Sequence, residues 1–205
     1  MVSDCNAHLH RLVLAMHNYH AEYGAFPPAY TVDANGRKMH SWRALLIPFL
    51  EAESALDGKY DLNEPWDGPN NRKMWDKMPP TFRCPCDTTS PPNTTSYVAI
   101  VGPETMWPGA KGRSADEIAD GLSNTIAIVE ATALAIPWLE PRDLEFANMS
   151  FEINDPAVTG LSNRHSQGVN VGFADGGVRS LRNGFDPQLL KSLITSAGGE
   201  KVDTP

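Results

Sequence analysis

Asp4–Tyr23 has the sequence DCNAHLHRLVLAMHNYHAEY, and this stretch decides the fold. Its apolar residues recur at steps of three and four, which is the period of one helix face and excludes a strand. Ser3 or Asp4 can cap the start, and Gly24 followed by Pro27-Pro28 can end the helix. Such a one-sided helix needs a surface that covers its apolar stripe. The residues we assign to this packing are Leu9, Leu12, Val13 and Met16.

The second half of the chain is rich in β-forming residues and can supply that surface. The predicted strands are Ser96–Val101, Thr125–Glu130, Val169–Phe173 and Val178–Arg182. Thr125–Glu130 is apolar on both faces, which favours a central position in a sheet. Asp175-Gly176 predicts a two-residue hairpin loop that sets Phe173 beside Val178 on one apolar surface.

Shorter helices surround this core in the prediction. Ser41 caps a short helix that Pro48 breaks, a further turn covers 53–56, and Asp67 caps a helix that reaches Trp75. Asp186-Pro187 opens a last helix that ends at Gly198-Gly199. The fold class is therefore α+β: one domain over residues 1–205, with a long first helix on an antiparallel sheet of about four strands, short extra helices and long loops.

Composition limits the function classes. The 205 residues carry a formal net charge of −8 and contain no run of lysine or arginine. Nucleic acids and anionic membrane surfaces both attract basic faces, so neither is expected as a partner. No apolar run approaches the roughly 18 residues of a membrane span, and no signal peptide is recognisable. As written, the sequence predicts a soluble protein.

The three cysteines leave several possibilities open. Cys84 and Cys86 lie in Cys-Pro-Cys and are too close together for an unstrained bridge. A bridge from Cys5 to Cys84 would tie the helix to a distant loop, whereas free thiols would indicate a reducing compartment. A zinc site is the third possibility, although no four-ligand spacing is visible.

Histidines invite catalytic or metal-binding interpretations, which we weigh against ordinary hydrogen bonding. His17 and His20 lie three residues apart on the first helix, but a metal site needs a third ligand. Ser162, His165 and Asp175 resemble a triad in composition only, because no nucleophile elbow or oxyanion motif accompanies them. We expect the histidines to be hydrogen-bonded, His165 to anchor its loop, and Asp175 with Gly176 to form the hairpin turn.

Two further groups could bind ligands. Asp61, Asn63 and Asp67, with Asn70 nearby, offer the hard oxygen atoms that calcium prefers, but not in the helix–loop–helix spacing. We expect local caps there, with calcium as the alternative and no other cofactor. Trp107 and Trp138 lie in predicted loops. We expect both side chains to pack into the core and so hold their loops against it. The alternative is that they line an exposed aromatic cleft that binds a ligand.

Several short stretches, taken in order, resemble a bacterial family of prepilin-like proteins of unknown function, also catalogued as solute-binding-protein-like. The C-terminal motif is His165, nine residues, then Asp175-Gly176. The other matching stretches are Leu14–His20, Tyr23–Pro28, Ser41–Arg43, Ile47–Glu51, Glu64–Asp67, Phe82–Pro85 and Asp120–Ile126. Each is weak alone, but together they span nearly the whole chain.

The resemblance implies a pilin-like or pseudopilin-like fold. Family members begin with a basic leader and an apolar helix that anchors in the inner membrane, and this chain begins where the amphipathic second half of that helix would start. We therefore expect that the membrane half is lacking here. The resemblance also implies a Cys5–Cys84 bridge in an oxidising envelope, with Cys86 standing where the family usually has serine. It supplies no catalytic residue, because the family has no established activity.

These observations predict a non-catalytic, pseudopilin-like structural protein of the cell envelope, and not an enzyme. Its expected partners are like subunits or components of a type II secretion or type IV pilus-like assembly. In full-length form it would be anchored in the inner membrane with a periplasmic or extracellular head. One alternative is an extracytoplasmic module that binds carbohydrate or peptide through its tryptophan loops. The other is a metal-dependent enzyme built around His165 and Asp175.

Overall fold

The computed structural model describes residues 2–50, 56, 58–165 and 167–199. Its α-helices are α1 (Val2–Tyr23), α2 (Trp42–Leu45) and α3 (Pro187–Ile194). Its strands are β1 (Tyr30–Val32), β2 (Lys38–Ser41), β3 (Thr94–Thr95), β4 (Tyr97–Val98), β5 (Ile100–Val101), β6 (Ile126–Glu130), β7 (Ile136–Pro137), β8 (Leu144–Glu145), β9 (Gly168–Phe173) and β10 (Val178–Arg182). Short 3₁₀ helices occupy several of the connections.

Helix α1 follows the predicted apolar period. All four stripe residues, Leu9, Leu12, Val13 and Met16, have no exposed surface. Ser3 and Asp4 lie inside the first turn and do not precede the helix, so the predicted cap is wrong. At the other end Gly24 adopts a φ of +75° and its N–H donates to His20 O (2.8 Å), which is the expected glycine stop. Among the helices of the described ranges, none combines the length and apolarity needed to cross a membrane.

The principal sheet has four antiparallel strands in the order β10-β9-β6-β4. Strand β6 is interior and every residue in it is buried, which confirms its predicted central position. The remaining strands form three two-stranded pairs: β1–β2 and β3–β7 are antiparallel, and β5–β8 is parallel. The fold is thus a mixed α/β arrangement with an N-terminal helix and small antiparallel sheets.

The sheet separates two apolar clusters, one on each face. On one face of β9, Val169, Val171 and Phe173 pack in the cluster that contains the buried side of α3. On the other face α1 lies directly against the strand, and Ala174 belongs to its cluster. A Cβ on Gly172 would approach Val13 Cγ2 to 2.7 Å, so glycine is required for this close approach.

The predicted strand at Ser96–Val101 is wrong as a continuous element. Its residues form β4 and β5, which pair with β6 and β8 respectively. The ladder is interrupted at Ala99, whose N–H donates to the buried Asp143 Oδ1 (2.9 Å) and so has no strand partner for that bond. A side-chain acceptor from a distant loop therefore replaces one rung of the sheet.

The hairpin register is one residue away from the predicted one. Val178 pairs with Gly172, and Phe173 N–H donates to Gly177 O (2.7 Å), which leaves a three-residue loop. Gly176 has a φ of +96°, and its N–H donates to Phe173 O (3.1 Å). A turn followed by a left-handed glycine is the usual three-residue loop. Val178 consequently lies on the α1 side of the sheet, opposite the face of Phe173.

Two smaller predictions also change. Glu64, not Asp67, caps the 3₁₀ helix at Asn71–Lys77: its Oε1 accepts the N–H groups of Asn70 and Asn71 at 2.7 and 2.6 Å. Helix α3 ends at Ile194, before the predicted Gly198-Gly199. Of the turn predicted at 53–56, only the last residue lies within the described ranges.

Candidate functional site at the Cys5–Cys84 disulfide

A disulfide joins the first turns of α1 to the loop after the 3₁₀ helix Pro80–Phe82. Cys5 and Cys84 are buried, with their Cα atoms 4.9 Å apart across 79 residues of sequence. Ser96 Oγ accepts the N–H of Cys84 (3.0 Å) and holds that end of the bond in place. Cys86, two residues further on, is a half-buried free thiol. The structure thus contains the bridge that the family resemblance implied, with a third sulfur beside it.

Tyr97 supports the helix side of this bond. Its buried hydroxyl donates to the carbonyl oxygen of Cys5 (3.2 Å). Burial raises the pKa of Tyr97 far above its ordinary value, and the charge of Glu130 adds to this effect. The hydroxyl therefore stays protonated and remains a donor.

His165 reaches the disulfide from the loop before β9. Its Nε2 lies 3.5 Å from Cys84 Sγ and 3.4 Å from Glu130 Oε1, and its side chain is only 9% exposed. The backbone N–H of His165 donates to Asn163 Oδ1 (2.9 Å), which sets the direction of the loop. A single ring nitrogen therefore faces both a carboxylate and a sulfur atom.

Glu130 is the last residue of β6 and is completely buried. Its Oε2 accepts the Asn170 N–H (2.7 Å) and the Asn163 side-chain amide, and its Oε1 accepts the Asn170 side-chain amide (3.2 Å). These amide groups give the buried carboxylate oxygens hydrogen-bond donors, but they bring no positive charge to the site. The imidazole of His165 is an ionisable group that lies against this carboxylate.

Four potential ligand atoms converge here. The sulfur atoms of Cys5, Cys84 and Cys86 and a ring nitrogen of His165 all lie within 4.8 Å of one another. Three sulfurs and one imidazole nitrogen make up a donor set that zinc accepts. The same atoms also form a free thiol next to a disulfide, which is the arrangement needed for thiol–disulfide exchange. No four-ligand spacing was visible in the sequence because the donors come from three separate segments.

Glu130 was missed as a site residue. The available signal was an acidic side chain at the end of the wholly apolar run Ile126–Val129, since an isolated carboxylate next to a central strand must be paired when buried. The sequence predicts a loop-anchoring role for His165 and does not indicate its approach to Cys84.

The other members of the suggested triad do not meet His165. Asp175 Oδ1 accepts the N–H of Gly177 (2.8 Å), and Asp175 N–H donates to Leu122 O (3.1 Å), so it serves the hairpin turn together with Gly176. Ser162 Oγ accepts the N–H of Ala133 (3.2 Å). Within the described residues, the metal-capable group that includes His165 does not include Asp175.

The calcium candidates have local partners. Asp61 Oδ1 accepts the Asn63 N–H (2.8 Å), and Asp67 forms an ion pair with Arg37 (2.9 Å). Within residues 58–165, neither aspartate belongs to a group of three metal-capable histidine, cysteine or acidic side chains.

The histidines of α1 bond to backbone groups of other segments. His17 Nε2 lies 2.9 Å from Ala174 O, and His20 Nε2 accepts the Ala115 N–H (3.2 Å). His8 and His10 make equivalent contacts with Arg83 O and Gly176 O. These four side chains attach the helix to three different parts of the chain.

The tryptophans fall into two groups. Trp107 and Trp138 are each 1% exposed and belong to the core. Trp66 and Trp75 are half-buried and stack with their ring centroids 5.5 Å apart and their planes at 22°. They border a cleft of about 220 Å³ together with Pro137.

The fold and site define a class: a mixed α/β protein whose N-terminal helix packs on its sheet and is tied by a disulfide to the loop after the 3₁₀ helix Pro80–Phe82. Residues 3–113, more than half of the chain, match the model of the family described as "Protein of unknown function (DUF1559)", and the chain belongs to that family. The family is also catalogued as solute-binding-like. The matched segment contains all three cysteines, whereas Glu130 and His165 lie beyond it. Comparison with curated proteins and with solved structures gave no significant match.

Proposed function

We propose that this chain is a non-catalytic, pilin-like structural subunit of the cell envelope, which assembles with like subunits or with a type II secretion or type IV pilus-like apparatus. The observation that carries the proposal is the packing of α1 against β9. The apolar stripe of the helix, Leu9, Leu12, Val13 and Met16, is completely buried. A subunit of this type must transmit force between a helix and a globular head.

The attachment of α1 suits that task. Val13 packs against the backbone of Gly172, the Cys5–Cys84 bond fixes the first turns, and the histidine contacts are spread along the helix. Local opening of the helix would have to break covalent, polar and apolar contacts together. The disulfide also agrees with the proposed extracytoplasmic location, because such bonds persist in oxidising compartments.

The outer face of α1 is open to a neighbouring subunit. It is formed by the exposed residues Asp4, Ala7, Arg11, Leu14, Asn18 and Ala21, at steps of three and four. Leu14 is an apolar side chain that is 51% exposed in the middle of this face. A neighbouring helix of the same kind could pack along it.

Site-specific photo-crosslinking in cells tests the proposal. A crosslinking residue replaces Leu14 or Asn18 in the natural gene product, and Val158, which is 45% exposed in a loop, carries it in the control. We expect both helix positions to give adducts with like subunits or pilus-assembly components in the envelope fraction, and the control to give none. Recovery of the protein in the cytoplasm, or equal crosslinking from Val158, would contradict the proposal.

The stacked Trp66–Trp75 pair favours a second candidate, a module that binds carbohydrate or peptide outside the cytoplasm. Its cleft is lined by the two stacked indoles together with Asn93, Thr94 and Pro137. Calorimetric titration with oligosaccharides and proline-rich peptides tests it. Binding that Trp75→Ala abolishes and the exposed-aromatic control Tyr23→Ala retains would support this candidate, and the absence of heat with both ligand classes would exclude it.

A further inference from the structure

The third sulfur beside the disulfide has no role in the proposed assembly. Cys86 is half-buried, so its thiol is reachable, and its Sγ lies within 4.8 Å of both sulfurs of the Cys5–Cys84 bond. Thiol–disulfide exchange needs a thiolate close to a disulfide and a leaving thiol that is stabilised as it departs. The structure places the thiol of Cys86 next to the disulfide and the ring of His165 next to Cys84, one of the two bonded sulfurs.

The environment of His165 decides between exchange and metal binding. A metal ligand presents an unprotonated ring nitrogen to the ion. Here the nitrogen nearest the sulfurs also faces the fully buried carboxylate of Glu130 at 3.4 Å. A lone pair directed at a carboxylate is repulsive, so this nitrogen carries a proton in the described geometry. An N–H group 3.5 Å from Cys84 Sγ donates a hydrogen bond to that sulfur.

From these contacts we infer that the chain contains an internal thiol–disulfide exchange site formed by Cys5, Cys84, Cys86 and His165. Cys86 loses its proton to solvent, and its thiolate attacks Sγ of Cys5. The Cys5–Cys86 bond forms as the Cys5–Cys84 bond breaks, and Cys84 leaves as a thiolate that accepts a hydrogen bond from the Nε2–H group of His165. Solvent then returns a proton to the Cys84 thiolate. One disulfide and one thiol are present before and after, so no external oxidant or reductant is required.

The direction of attack follows from the position of His165. Its Nε2 stands beside Cys84, so Cys84 is the better leaving group of the two bonded sulfurs. Glu130 acts as a positioning residue: its carboxylate lies 3.4 Å from Nε2 and holds the ring in place. Exchange moves the covalent attachment of α1 by two residues along the Cys-Pro-Cys segment while the helix stays tied to the domain throughout.

Alkylation mapping of the oxidised protein tests this inference. The protein is incubated with dilute iodoacetamide, quenched with acid and digested with trypsin, which cleaves after Arg11, Arg83 and Lys111. Cys84 and Cys86 then share one peptide, and fragmentation on either side of Pro85 locates the label. We expect label on both Cys86 and Cys84, with Cys5 unlabelled. Label confined to Cys86 after complete reaction would overturn the inference.

Three variants separate the roles. In His165→Gln the label on Cys84 should appear roughly tenfold more slowly, because the departing thiolate has lost the hydrogen-bond donor that stabilises it. The matched control is His10→Gln, which removes a histidine of α1 that bonds to Gly176 O and should label like the natural protein. Equal behaviour of the two histidine variants would overturn the assignment of His165. Circular dichroism checks that each variant is folded.

Cys86→Ser provides the complementary test. Without the attacking thiol, Cys84 should take no label at all. Label on Cys84 in this variant would mean that the bond is simply incomplete, and would overturn the inference. Metal analysis of the isolated protein examines the other use of these donors: one zinc per chain with all three thiols protected and no disulfide would overturn exchange in favour of a metal site. None of these outcomes depends on whether the chain assembles with other subunits.

Discussion

Asp143 and Glu130 are both completely enclosed carboxylates, and they differ in the cation that faces them. Asp143 Oδ1 accepts from Arg43 (2.6 Å), from the Trp42 indole (3.0 Å) and from the Ala99 N–H (2.9 Å). The charge on arginine is permanent. Burial raises the pKa of the Asp143 carboxyl, and the charge of Arg43 and the hydrogen bonds to Asp143 oppose that rise. It anchors the loop of residues 138–143 against α2 and interrupts the sheet at Ala99.

Glu130 is held by amides instead, and the cation that can face it is the imidazole of His165. The same imidazole also touches a disulfide sulfur. The comparison teaches that burial of an acid does not by itself indicate chemistry. A permanent cation makes the acid structural, whereas an imidazole that also touches a disulfide sulfur makes the acid part of a site where sulfur chemistry can occur.

The largest expected effect comes from Arg43→Met. This substitution leaves the Asp143 charge buried without its cation and also frees the carbonyl groups of Trp138, Glu140 and Arg142 that Arg43 binds. Breaking one partner of a buried pair costs about 3–5 kcal/mol of unfolding free energy. Urea denaturation measures it. The matched control is Arg37→Met, whose exposed pair with Asp67 contributes only about 0–1 kcal/mol.

The double variant Arg43→Met/Asp143→Asn sharpens this result. Removing the buried charge should restore part of the lost stability, because asparagine keeps an acceptor for Trp42 and Ala99. Restoration cannot be complete, since the carbonyl groups that Arg43 bound stay unpaired. If the double variant is no more stable than the single one, the cause is lost packing of the arginine and not the uncompensated charge.

The disulfide is expected to have the next largest effect. Cys5→Ser removes every disulfide that could attach α1, whether to Cys84 or to Cys86. The Cys5–Cys84 bond closes a loop of 79 residues. Its loss should lower the unfolding free energy by about 2–4 kcal/mol. Cys86→Ser, which keeps the bond, should change it by less than about 0.5 kcal/mol. A chemical denaturation series without reductant makes the comparison, and equal losses in the two variants would contradict it.

The sequence carried enough information for the elements but not for the contacts between distant segments. Helix α1 and its glycine stop were predictable because a 3.6-residue period and a left-handed glycine are local properties. The hairpin was predictable from Asp175-Gly176, although its register was misjudged because two- and three-residue loops share the same residue preferences. Strand β6 was predictable because its apolar run is continuous.

Both buried carboxylate clusters escaped prediction. Arg43 sits in an apolar run after Trp42, and this was a usable signal for a buried pair, but nothing local identifies Asp143 as its partner 100 residues away. The zinc-type donor set had the same difficulty, since His165 and Cys84 are 81 residues apart. Long-range pairing depends on how the sheet is assembled, which a single sequence does not specify.

Glu130→Gln tests the second carboxylate directly. Glutamine has nearly the same shape, but its amide nitrogen would oppose the donors of Asn163 and Asn170. Loss of hydrogen bonds to a charged acceptor should cost about 1.5–3 kcal/mol, less than the loss at Arg43 because no charge is left unpaired. The control is Glu140→Gln, where the partner Arg142 is half exposed and the change should stay below about 1 kcal/mol. A loss as large as that of Arg43→Met would remove the distinction between the two sites.

The smallest expected effect concerns His40, a buried imidazole with neither a permanent cation nor a carboxylate bonded to it. It lies between Tyr60 OH (2.8 Å) and Leu62 O (3.1 Å). Burial lowers the pKa of His40, and the bond to Leu62 and the charge of Asp61 oppose this only in part. The unfolded chain therefore binds a proton more readily than the folded chain once the pH falls below the unfolded value of about 6.5. The stabilisation is present above that pH and is lost as the pH falls toward the lowered folded pKa.

The size of this effect is limited to one proton, so the slope cannot exceed about 1.4 kcal/mol per pH unit. Unfolding free energies measured at several pH values for the natural protein and for His40→Gln isolate it, because the other histidines contribute equally to both. We expect the difference between the two proteins to change as the pH falls through about 6.5. A constant difference would mean that the burial of His40 does not change how readily the folded protein binds a proton at this side chain.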